Sequence, residues 1–142
     1  MQRRRRTEIL IHAEATLAQR LATEITDKYG YTEIIAPREG LTMMKVRESA
    51  KNSLFYLGEV LVTEARVRVA EAIGIGIVAG SKAHLARNLA IIDAAYKANV
   101  PETLQWEKHL LEAEQAIAKQ RQVERLALAQ TKVRFETMDA GN

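Results

Sequence analysis

The chain contains no cysteine. That excludes a disulfide framework, a thiol nucleophile, a thiolate metal site and any cysteine-held iron–sulfur cluster. It also removes every sign of an oxidising compartment. Prolines number two and aromatic residues make up 5%. No internal repeat or low-complexity linker interrupts the sequence, so nothing marks a second domain. Long apolar runs are missing too. In "MQRRRRTEILIHAEATLAQRL", His12, Glu14 and Gln19 break the apolar stretch, which reads as neither a signal peptide nor a membrane span. A cytoplasmic location is the resulting expectation.

A strong excess of one charge is also absent. The formal net charge is +3, and four of the positive residues form the run Arg3 to Arg6. Without that run the rest is close to neutral, whereas a nucleic-acid binder spreads basic residues over one face. The run itself reads as a mobile, solvated terminus. What remains is 142 residues, 47% apolar and 27% charged, enough for one domain, 1–142, with a single core.

Helical spacing places Leu10, Leu17, Leu21 and Ile25 on one face and predicts a helix over 7–29, with Gly30 as its stop. Strands are expected within 31–79. "TEIIAPREGLTMMKVRES" reads as two short strands about a Pro37-Arg38-Glu39-Gly40 turn, and "SAKNS" as a polar connection. In "LFYLGEVLVTEARVRVA", Ala65, Val67 and Val69 alternate with Glu64, Arg66 and Arg68, so one face is buried and the other wet. Gly58 marks a bulge or a close backbone approach. A turn near Glu71 would join this strand to "AIGIGIV" as an antiparallel hairpin. Ser81 suits the N-cap of a helix over 81–99, with Leu85, Leu89, Ile92 and Tyr96 on one face. After Pro101 a helix over 102–130 carries the stripe Trp106, Leu110, Ala113 and Ile117, which blurs beyond it. The tail 131–142 reads as extended, with Val133 and Phe135 spaced as in a strand. The fold class is α+β: an antiparallel sheet of about four strands packed by helices, with a long C-terminal helix and an extended tail.

"IGIGIVAGSKAHL", residues 73–85, raises the question of a phosphate loop. Gly74 and Gly76 alternate with isoleucines, so they lie inside a strand rather than in a strand-to-helix turn. Gly80-Ser81-Lys82 reverses the lysine and hydroxyl order of a P-loop. The two strand glycines instead leave room for a helix or a partner backbone to approach. Gly80, Ser81 and Lys82 remain as anion-binding candidates, because free N–H groups at a helix start favour an anion. An ordinary cap with an exposed lysine is the plainer reading.

His12, His84 and His109 fall on three different helices with no second ligand at metal spacing, so no metal site is expected. A Ser-His-Asp triad through His84 lacks a nucleophile elbow. Glu112 and Glu114 face different sides of a helix and read as solvated. Arg47, Arg66 and Arg68 read as the wet side of a strand, and no catalytic residue is legible. The long last helix and its tail are the candidate partner interface, with Trp106, Val133 and Phe135 as its anchors and the tail able to add a strand to a partner sheet.

Four segments, "PREGLTMMKVRES", "FYLGEVLVTEARV", "GIGIVAGSKAHLARNLAIIDAAY" and "KVRFETMD", occur in an order that resembles the G-subunit family of the bacterial carbon–phosphorus lyase complex. The resemblance runs from about Pro37 to Asp139. It implies an α/β fold, in the broad sense, within a symmetric assembly with subunits of the H, I, J and K types, close to the I type. With H, I and L type partners such a subunit supports the first committed step of phosphonate breakdown. In that step a phosphonate displaces the adenine of ATP, giving ribose 1-methylphosphonate 5-triphosphate. The nucleosidase chemistry belongs to the I type and the radical iron–sulfur chemistry to the J type. The implied cofactor set is none in this chain, with ATP and magnesium as substrate of the complex. Gly58, Glu59, Thr63, Gly80, Asp93 and Phe135 stand where the family pattern has them. Ser81, Lys82 and Arg87 depart from it, since members carry an arginine and an acidic residue after the glycine and an acidic residue at the third position. The alternative from the residues alone is a stand-alone anion- or nucleotide-binding domain using Gly80-Ser81-Lys82.

Overall fold

The structure is a computed structural model; it describes the backbone of residues 1–47, 50 and 53–140, and their side chains except those of 46, 47 and 132–140. Four helices and three strands follow in the order α1 (Arg3–His12), α2 (Ala15–Tyr29), β1 (Thr32–Arg47), β2 (Leu54–Val69), β3 (Ala72–Ala79), α3 (Ala83–Lys97) and α4 (Glu102–Ala140). The strands form one antiparallel sheet in the order β1-β2-β3. The class is α+β, with three strands where the sequence suggested about four.

The count differs because Pro37-Arg38-Glu39-Gly40 is not a turn. β1 runs straight through it, with register shifts between Glu33 and Ile35 and between Ile35 and Arg38. β1 is an edge strand, so a proline missing its N–H costs no ladder bond on the open side. Gly58 does mark a bulge. It opposes Met44, the next pair is Lys45 with Tyr56, and its φ of +148° is one that side-chain-bearing residues avoid. The connection at 49–53 lies largely outside the described residues.

Helix α3 is central. Ala86, Leu89, Ala90, Ile91, Ile92, Ala94 and Ala95 are all buried, so the helix is apolar almost all round. One side lies on the sheet, against Ala65, Val67, Val69 and Val78. The isoleucines of β3 do not line this interface; Gly74 and Gly76 do. A Cβ on Gly74 would stand 2.0 Å from the Ala90 carbonyl oxygen, and one on Gly76 2.0 Å from that of Ala86. The glycines therefore let the backbone of α3 lie on the strand, as the alternation suggested. The core continues through Leu21 and Ile25 of α2, Ile9 and Leu10 of α1, and Trp106 and Leu110 of α4.

The expected helix over 7–29 is divided at Ala13, whose backbone is extended. The reason is phase. Arg6, Ile9 and Leu10 are the buried positions before the break, and Ala18, Leu21, Ala22 and Ile25 those after it. On one straight helix the two stripes would be offset by roughly a third of a turn, so a continuous helix could not bury both.

The tail also departs from expectation, because α4 continues as helix to Ala140. Leu126, Ala127, Leu128, Ala129 and Gln130 are strong helix formers, and no glycine or proline intervenes before Gly141. Thr131 donates its hydroxyl to the Ala127 carbonyl, a bond made within the helix. Propagating an existing helix adds a backbone bond for each residue fixed, which outweighs the β preference of Val133 and Phe135.

Candidate functional site

Chemistry-bearing residues gather at three places. The first is the start of α3. Thr63 of β2 is buried and donates its hydroxyl to the Gly80 carbonyl at 2.6 Å, while accepting the Lys82 N–H at 3.0 Å. Lys82, rather than Ser81, is the N-cap. The Ser81 hydroxyl donates to the Glu39 carboxylate. One of the N–H groups at this helix start is thus spent on Thr63, and a carboxylate stands beside Ser81 where an anion would approach. Arg87, the third departure from the family pattern, donates to Glu33 at 2.7 Å. Two of the altered residues, Ser81 and Arg87, thus pair with acidic residues of β1.

The second place is a charged knot around Asp93. Its side chain is 7% exposed, accepts from Arg3 at 3.0 Å and Arg6 at 3.3 Å, and forms an ion pair with the Lys97 ammonium at 3.1 Å. Its Oδ2 also accepts the Ile75 N–H of β3 at 3.0 Å. The buried Arg6 guanidinium lies 3.8 Å above the Tyr96 ring. Burial lowers the Arg6 pKa and raises that of the Tyr96 phenol. The Arg3 to Arg6 run is therefore not a free terminus, although Arg3, Arg4 and Arg5 stay exposed. It forms the first turns of α1, with Arg3 and Arg6 on Asp93 and Arg5 on Glu114 at 2.6 Å. That also corrects Glu114, which holds a partner. The sequence signal for Asp93 was its position as the lone acid within "LAIIDAAY"; a charge buried on a central helix requires a cation nearby.

The third place is an open groove of about 900 Å³ where α4 leaves the α1–α2 junction. His12 and His109 line it with Arg20, Arg121, Glu112 and Glu124, over a floor that includes Leu17 and Ile117. Cations and carboxylates alternate around its rim, so it presents no single sign of charge. Among the described residues, no group of three or more His, Cys, Asp or Glu is arranged to hold a metal.

The expected interface anchors separate. Trp106 is 1% exposed, meets Tyr96 edge-to-face at 5.7 Å and donates its indole N–H to Glu24 at 3.1 Å. It is a core residue of this chain, not an anchor for another. The side chains of Val133 and Phe135 lie outside the described residues. Exposed apolar surface appears elsewhere. Beyond Ile117, α4 bares Val123, Leu126 and Leu128, the last 71% exposed. The far part of the β1–β2 ribbon bares Leu41 (67% exposed), Met43, Met44, Leu54, Phe55, Tyr56 and Leu57. Such a surface is larger than scattered single exposures, and contiguous apolar exposure is the kind of surface that interaction sites present. Period-two reading missed it because alternation shows which residues share a face and not whether that face is covered.

The match to the family described as phosphonate metabolism protein PhnG covers residues 1–141. The chain belongs to that family. Among the curated proteins no relative matches. Membership extends the resemblance over the N-terminal helices and ties the chain to phosphonate metabolism. No helix among the described residues is long and apolar enough to cross a membrane.

Proposed function

We propose that this chain is a non-catalytic subunit of a cytoplasmic carbon–phosphorus lyase assembly, built with partners of the I, H, J, K and L types. In this reading it supports the transfer of the ribose triphosphate of ATP to a phosphonate, with release of adenine. It carries no cofactor, and ATP with magnesium is the substrate of the assembled enzyme. The observation that carries the reading is the family match over nearly the whole chain. The distribution of apolar surface supports a structural part. The body buries its own apolar core, while the β1–β2 ribbon and distal α4 leave it with apolar side chains bare. An isolated helix or a two-stranded ribbon is marginal in water without packing. Partner chains that cover both would give these elements the burial that their own core does not.

The chemistry at the charged positions points the same way. Ser81 and Arg87 are engaged by Glu39 and Glu33, and Asp93 is saturated with cations. The test is co-expression of the remaining subunits with and without this chain, followed by an assay of adenine released from ATP plus methylphosphonate. Activity should appear only when the chain is present. Adenine release undiminished by its omission removes the reading, as does turnover by the isolated chain.

A further inference from the structure

The sheet has three stretches of free edge, and they are not equivalent. The outer edge of β3 is plugged. Asp93 takes the Ile75 N–H at 3.0 Å, Lys97 gives its ammonium to the Ile73 carbonyl at 3.1 Å, and Arg3 and Arg6 close over Asp93. The outer edge of β1 carries Pro37 and two register shifts between Glu33 and Arg38. Proline and bulges are the devices that keep an edge strand from pairing. The third stretch holds no proline, and its bulge, at Gly58, leaves Glu59 on the side that continues directly into the β3-paired part of β2.

That stretch is the β3-facing side of β2 beyond the end of β3. β2 has 16 residues and β3 has 8. Their last pair is Val62 with Ala79, and the last bond is from the Gly80 N–H to the Leu61 carbonyl at 2.8 Å. From Leu54 to Val60, β2 pairs with β1 alone among the described residues. In an antiparallel strand the N–H and C=O of one residue point to the same side, and the side alternates. Glu59 therefore directs its N–H and C=O as Leu61 does, into the lane that β3 has left. No proline lies between Leu54 and Val60, and Glu59 is the one charged residue there. Phe55, Tyr56 and Leu57 are each about half exposed, so apolar side chains flank the lane on both faces.

We propose that this lane receives an extended strand from a different polypeptide of the assembly, which continues the sheet in line with β3. An extended backbone is the occupant that satisfies a row of unpaired N–H and C=O groups. Its side chains are apolar on both faces, with a lysine or arginine opposite Glu59. A second copy of this chain fits less well. Antiparallel self-pairing about Leu57 sets Glu59 against Phe55 of the other copy and covers the carboxylate without a cation. The inference rests on the proposed membership in a multi-subunit assembly and names the surface that membership uses. It also reverses the direction expected for strand exchange: this chain's sheet accepts a strand, and its helical tail donates none.

The experiment is amide hydrogen exchange on the full chain, purified alone and purified with the co-expressed subunits, read on peptides spanning Leu54–Val60. Exchange of the open-lane amides should slow by about tenfold or more on assembly. Glu59→Pro removes the N–H that faces the lane while sparing the β1 ladder, and it should weaken association about tenfold or more. Circular dichroism of that variant confirms that the sheet is retained. An assembly that forms with these amides as labile as in the free chain overturns the inference and leaves the proposed function standing. Slow exchange that appears in the isolated chain as it dimerises overturns the choice of occupant. A chain that joins none of the co-expressed subunits overturns both.

Discussion

Gly74 and Ala90 stand so close that the α3 carbonyl occupies the place of a side chain on the strand: an added Cβ would lie 2.0 Å from it and 2.3 Å from the Ala94 nitrogen. Both obstacles are backbone, so relief requires moving a helix rather than turning a rotamer. Gly74→Ala should destabilise the chain by about 3 kcal/mol, at the upper end for overpacking. Gly40→Ala is the control, since a Cβ there meets nothing within 4 Å. Urea denaturation of the two variants should show a large drop in midpoint for the first and little change for the second.

Asp93 neutralises a buried arginine and plugs the edge of β3 at once. Asp93→Ala strands Arg6 under Tyr96 and leaves the Ile75 N–H without its acceptor. The expected loss is about 3–5 kcal/mol, the usual consequence of breaking one side of a buried ion pair. Asp93→Asn keeps an acceptor for Ile75 but not the charge, and should fall between. Thermal unfolding of both variants checks the order. Equal losses would mean that the hydrogen bond to Ile75 contributes nothing beyond the charge.

The contact between α2 and α4 should be visible in the pH dependence of stability. The Lys28 ammonium, bonded to the Glu102 carboxylate, is the main cause holding Glu102 below its ordinary pKa of 4.5. A carboxyl whose folded pKa is depressed contributes stability above its unfolded value, and the contribution is lost as pH falls through the folded value. The same bond raises Lys28 above 10.5. That contribution is complete below the unfolded pKa and is lost as pH rises through the folded one. Glu102→Gln should therefore flatten both the acid and the alkaline limbs of a plot of unfolding midpoint against pH. Unchanged limbs would show that the pair contributes nothing.

Two residues, Ala70 and Glu71, link Val69 to Ala72, and Ala70 has a φ of +52°. Positive φ at the first of two loop residues is the position that glycine fills in hairpins. Ala70→Gly relieves the misplaced Cβ at some cost in unfolded-state entropy. A net gain of up to about 1 kcal/mol is expected, read as a higher melting temperature.

Much of the architecture was legible because it follows from local rules. The β2–β3 hairpin, the bulge at Gly58, the strand glycines facing a helix and the span of α3 each follow from alternation, spacing or backbone freedom. The misses, the helical tail apart, share another cause, since they depended on a distant partner. Nothing near Arg3 or Arg6 in the chain announces Asp93, about ninety residues away. Pro37 suggested a turn because the edge position that tolerates it is a property of the assembled sheet. The break at Ala13 has no glycine or proline to signal it and follows from which faces α1 and α2 bury. Trp106 looked like an anchor for another chain because an aromatic on a helical stripe reads the same whether its own core or a partner receives it.

The 39 residues of α4 amount to an axis of about 58 Å at 1.5 Å per residue. Its root is fixed by Trp106 and Leu110, whereas the span from Lys119 to Thr131 stands clear of the body. In the assembly proposed above, a rod so held would serve as a spacer. Any neighbour that grips its far turns is set at a distance the helix dictates, and two neighbours that never touch can be kept in fixed relation through this one chain.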